Sequence, residues 1–126
     1  MRSLRAERIK IKIGEIWKSP DLHVLLTQEN DVIVARCLDF TVSSHGVDVK
    51  DALNSLADSI KEYILTAIEN DAINTLFDPA HGKYWRMFNE WETKYSMGQM
   101  KRSLRRSLKS VSYKNMEMSP AEISHA

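Results

Sequence analysis

The segment LHVLLTQENDVIVARCLDFTVSSHGVDVKDALNSLADSIKEYILTAIEN, residues 22–70, decides the fold. Residues 23–28 (HVLLTQ) are apolar and β-favouring, Glu29-Asn30-Asp31 is turn chemistry, and residues 32–38 (VIVARCL) form a second β-branched run. Residues 39–46 (DFTVSSHG) read as a short third strand closed by a glycine. The hydrophobic period then changes from two to about 3.6. Val49, Leu53, Leu56, Ile60, Ile64 and Ile68 recur every three or four positions, with Ala52, Ala57 and Ala67 on the same face. That spacing predicts an amphipathic helix over 48–70. Asp48 is its expected N-cap and Asp51 stands at the third helical position, where Asp reaches back less easily than Glu. Val47 and Ala52 occupy the places of a hydrophobic staple.

Upstream, residues 8–17 (RIKIKIGEIW) alternate isoleucines at 9, 11 and 13 with Arg8, Lys10 and Lys12, which predicts a strand with one buried and one solvated face. Gly14 marks a bulge or bend, Ser19-Pro20-Asp21 a turn, and residues 1–7 either fray or open the strand. This strand either extends the sheet at an edge or pairs with a second copy. Downstream, Asp78-Pro79 signals a helix start. Ala80, Tyr84, Met87, Phe88, Trp91 and Tyr95 make one apolar stripe over 79–97, Trp85 projects away from it, and Gly98 is the expected stop. This second helix needs a surface, on the same sheet face or on another protomer. A body of about ninety residues has a small core, so dimerisation through this helix or the added strand is expected. The fold class is therefore α+β: a small antiparallel sheet of three or four strands in β-β-β-β-α order, packed on one long helix, with a second C-terminal helix. Residues 1–98 form the domain and 99–126 a basic, flexible tail.

The order of elements, and residues within it, resembles the HicB antitoxin family. The residues that carry the likeness are VIVARCL at 32–38, the acidic–apolar pair Asp39-Phe40, the third strand with Gly46, and Asp51-Ala52-Leu53 at the helix start. The glycine and aromatic usual at the hairpin of that family, and its proline–glycine pair, are absent here. The resemblance implies a partial ribonuclease-H-like body with no catalytic role. It also implies an antitoxin that binds and occludes a small, basic, HicA-like ribonuclease toxin. Members often have a further strand after the helix, whose place the N-terminal strand would take.

Composition is ordinary for a globular chain, with 43% hydrophobic and 28% charged residues. No apolar run reaches the roughly 18 residues of a membrane span, and no apolar segment follows the basic N-terminus as in a secretory signal. Cys37 is the single cysteine, which excludes an intrachain disulfide and suits a cytoplasmic setting; on a β-branched strand its thiol is expected to be inert core. The net charge of +1 is unevenly spread. Residues 1–12 carry +4 and residues 94–126 carry +5, leaving −8 on the body between them. An acidic body has the right sign for a basic protein partner.

Catalytic and metal signals are weak. His23, His45, His81 and His125 lack metal-ligand spacing, the four glycines are isolated, and no serine stands in a nucleophile elbow. Cys37 and His45 lack an oxyanion-hole motif. A two-metal nuclease needs carboxylates converging from strands, and the strands offer Glu15 and Asp39 only, while Asp51, Asp58 and Glu62 read as a solvated helix face. No cofactor, metal or catalytic residue is assigned. The basic run KRSLRRSLK makes Lys101, Arg102, Arg105, Arg106 and Lys109 candidate phosphate contacts, without the interleaved aromatics of single-strand binding. Three functions remain open: the antitoxin, a self-associating HicB-like binding module without a toxin, and a nucleic-acid binder acting through the tail.

Overall fold

The structure, a computed structural model, describes residues 1–15 and 17–108. It has strands β1 (Arg2–Ile9), β2 (Lys12–Ile13), β3 (Trp17–Lys18), β4 (Leu22–Glu29), β5 (Val32–Cys37) and β6 (Val42–Gly46). Helix α1 (Val49–Glu69), a 3₁₀ turn (Ile73–Thr75) and helix α2 (Gly82–Ser107) follow. The chain divides into two units, Met1–Lys94 and Tyr95–Ala126, so α2 crosses the boundary.

The α+β class predicted from the hydrophobic periods is found. The main sheet is antiparallel with order β1-β4-β5-β6. β4 and β5 are joined through Asn30-Asp31, where Asn30 takes φ 56°, a left-handed conformation that Asn tolerates. The N-terminal strand is an edge strand of its own chain, paired with β4. Its extent differs from expectation. β1 begins at Arg2, and the isoleucine-rich segment does not continue as one strand. It breaks at Lys10 and folds into the small β2–β3 hairpin through Gly14 at φ 54°. Ser19 pins the hairpin base, its Oγ accepting from the Ile11 N–H at 2.8 Å while its own N–H donates to the Ile11 carbonyl at 2.8 Å.

Strand alternation sorts the sheet into two faces. Val24, Leu26, Ala35 and Cys37 face α1 and join Phe40, Ala52, Leu56, Ile60 and Ile64 in the main core. Leu25 and Leu38 form a second cluster with Phe88 of α2, flanked by Ala6, Ala80, Tyr84, Trp85 and Met87. The aromatic helix therefore finds its surface on the opposite face of the same sheet, an arrangement that requires no second protomer. Trp85, expected to point away, is half-buried, with its ring 5.0 Å from that of His23.

The α1 start matches its cap signal in part. The Asp48 Oδ1 accepts from the Asp51 N–H at 2.7 Å. Asp51 reaches back to the N–H of Val47 at 3.0 Å, one residue beyond the cap. Val47 is 82% exposed, so no staple forms. Gly46 is required by close approach. A Cβ there would lie 2.5 Å from the Ala52 nitrogen and 2.8 Å from the Asp51 carbonyl carbon, both backbone atoms of the first helical turn.

The second helix starts and stops later than predicted. Asp78 and Pro79 lie outside it: the Asp78 N–H donates to the Asp39 carbonyl at 3.1 Å and the Ala80 N–H to the Leu38 carbonyl at 2.8 Å. This segment is a strap held along the end of β5. His81 opens the helix instead, its Nδ1 accepting from the Lys83 N–H at 3.1 Å. Gly98 sits inside α2, which runs on through residues 99–107 of the basic C-terminal segment. The rest of that tail, from 109, lies outside the described residues.

Candidate functional site

The acidic–apolar pair Asp39-Phe40 is structural. Asp39 Oδ1 accepts from the His23 N–H at 2.7 Å, and its Oδ2 lies 3.1 Å from the His23 Nδ1. His23 is held further by the Phe88 ring at 5.3 Å. Phe40 is buried beside Tyr63 and Phe77. With Asp39 engaged in this way and Glu15 paired to Lys12 on the exposed hairpin, the two strand carboxylates serve separate local contacts. Among the described residues no three His, Cys, Asp or Glu side chains converge as a metal-holding group. Burial pushes the Cys37 thiol up to about 11, with its Sγ 3.9 Å from Asp39 Oδ1, so at neutral pH it is not a thiolate nucleophile.

Charged groups on the α2 face of the sheet are also committed. The Arg36 guanidinium lies 4.8 Å over the Tyr84 ring, donates to Thr27 Oγ1 at 2.9 Å and pairs with Glu29 at 3.0 Å. Burial pushes the Glu29 carboxyl up, but hydrogen bonds from Thr27 and Arg36 outweigh it and leave the group below its ordinary range.

The surface with unspent binding capacity is elsewhere. α1 is longer than the sheet face it covers, and its last two turns carry Leu65 and Ile68 outward. The β2–β3 hairpin brings Ile13 and Trp17 up on one side, and the chain after α1 brings Ile73, Leu76 and Phe77 on the other. Together with Ile64 and Ala67 they line an apolar groove of about 480 Å³. Ile73 and Phe77 are 57% and 58% exposed. Clustered large apolar side chains left in water mark an interaction surface rather than ordinary scatter.

The segment that ends α1 and follows it is acidic, while the hairpin wall carries Lys12 and Lys18 and the α1 wall begins one turn after Lys61. Residues 62–80, which supply its α1 lip and the following segment, contain Glu62, Glu69, Asp71 and Asp78 and no Lys or Arg. α1 has no basic residue in its last turn, so the negative end of its dipole adds to these acids.

The predicted nucleic-acid residues Lys101, Arg102, Arg105 and Arg106 are exposed on the last two turns of α2. At about 100° per residue they occupy one flank of roughly 140°. Lys109 lies outside the described residues. Met97, Met100, Leu104 and Leu108 form an adjoining apolar stripe, all exposed, with Met100 at 65%. Leu104 and Leu108 are therefore part of the apolar edge of a basic amphipathic helix. The groove itself escaped sequence reasoning. Its one local signal is the apolar series Ala72, Ile73, Leu76 and Phe77, which by sequence either prolongs α1 or forms a short further turn.

Compared with family models, curated proteins and solved structures, the chain finds no match. No helix among the described residues is long and apolar enough to cross a membrane.

Proposed function

We propose that this chain is a non-enzymatic, HicB-like protein-binding module that works through the groove beside the C-terminal half of α1. The observation that carries the reading is the exposed apolar lining of the groove, beside residues 62–80, a stretch that is net acidic. Apolar burial supplies the attraction, and the acidic segment at the end of α1 favours a basic partner. By the resemblance to HicB antitoxins, the partner is a small basic HicA-like ribonuclease toxin, occluded by binding. A single buried thiol suits the reducing cytoplasm in which such a pair would act.

The test is co-expression with the small basic protein encoded in the adjacent reading frame, if there is one. Co-elution with the wild-type chain, lost on Ile68→Glu, supports the reading. Co-elution unchanged by that substitution places the contact elsewhere on the surface. A second reading, a self-associating module without a toxin, is favoured by the basic amphipathic segment that the same chain carries in α2.

A further inference from the structure

Resting on the second reading above, in which the groove serves self-association and not a toxin, we infer that its occupant is a second copy of this chain, which lays the apolar stripe of its own α2 into it. Met97, Met100, Leu104 and Leu108 follow one another at steps of three, four and four, the spacing of a helix seam. Their exposure leaves that seam facing water, as the groove walls Leu65, Ile68, Ile73 and Phe77 do. From Met97 to Leu108 the stripe runs about 16 Å, three turns of anchors for a groove of about 480 Å³.

Charge argues for the same occupant. Residues 94–107 carry Lys94, Lys101, Arg102, Arg105 and Arg106 and no acid, against residues 61–80 with four acids and Lys61 as their one base. The C-terminal end of α1 lacks a cation of its own, with Glu69 in its last turn. Arginines from an incoming helix would satisfy both the acid and the helix dipole. Each copy owns one groove and one seam, so a two-fold exchange uses both twice and closes the assembly as a dimer.

Sedimentation equilibrium of the full chain tests this. The wild type is expected to dimerise, more weakly as salt rises. Ile68→Glu in the groove and Leu104→Glu in the seam should each weaken association at least about tenfold. Both positions are exposed, and circular dichroism should show the fold retained. An equimolar mixture of the two variants should regain association, because one groove–seam contact in the mixed dimer is intact. A wild-type chain that stays monomeric at its highest soluble concentration overturns the inference, as does a mixture that regains nothing. If the groove substitution weakens the dimer and the seam substitution does not, the occupant is wrong while the groove reading stands. If neither does, and Arg105→Glu with Arg106→Glu lowers only the affinity for duplex DNA, the helix serves nucleic acid and the inference fails.

Discussion

Arg8 on β1 and Glu92 on α2, 84 positions apart, meet in a two-bond fork, Nε to Oε2 at 3.1 Å and a terminal nitrogen to Oε1 at 2.9 Å. The contact joins the edge strand to the helix that covers that face. It also explains why one cation of the basic N-terminus is not available to a partner. Hydrogen bonding from Arg8 outweighs burial and holds the Glu92 carboxyl below its ordinary range, while Arg8 is raised by the same bond.

This fork makes part of the stability pH-dependent. A carboxylate with a lowered folded-state pKa contributes stability that is full above its unfolded value, near 4.5, and is lost as pH falls through the folded value. The wild type should therefore exceed Glu92→Gln in stability at pH 6, and the gap should close below about pH 4.5. Denaturant melts of both proteins across pH 3–7 would reveal it. A gap that widens on acidification would contradict the pairing. Both side chains are partly exposed, so the gap should be small.

Phe88 is fully buried between Leu25 and Leu38 and anchors α2 to the sheet. Phe88→Ala should cost about 3–5 kcal/mol in chemical denaturation. A loss under about 1 kcal/mol would mean that α2 does not cover this face.

Gly46 predicts a steric effect. Gly46→Ala drives a methyl into the backbone of the first turn of α1, where neither Ala52 nor Asp51 can move without unseating the helix cap. A loss of about 1–3 kcal/mol is expected, in line with overpacked sites. Urea titration measures it, and a neutral result would show that α1 starts farther from β6.

Cys37 is 1% exposed and its thiol is pushed up to about 11 by burial. Thiol reagents at pH 7.5 should label it only as fast as the protein opens, and about fully in denaturant. Rapid stoichiometric labelling of the native chain would place the cysteine outside the core.

Asp48 accepts from the Asp51 N–H and closes the open end of α1. Asp48→Ala should lower stability by about 1 kcal/mol, whereas Asp48→Asn should lose much less because its amide oxygen still accepts. Thermal melts of the pair separate the hydrogen bond from the charge.

Local chemistry sufficed for the hairpin, for α1 and for the Asp48 cap, because periods of 2 and 3.6 and a capping carboxylate act over a few residues. It also carried the one signal of a second layer. Val24, Leu25 and Leu26 are apolar in succession, and a strand that is apolar on consecutive positions is buried on both faces. The strand predicted from RIKIKIGEIW was broken by tertiary demands, since Ser19 captures the backbone of Ile11 and turns the chain into a hairpin. Gly98 is a helix stop by propensity alone, about 1 kcal/mol against Ala, which the helix formers around it override. The groove depended wholly on tertiary structure. Its walls come from the β2–β3 hairpin on one side and, more than forty residues later in the chain, from the end of α1 and the segment that follows it, and only their packing decides which isoleucines are covered and which remain in water.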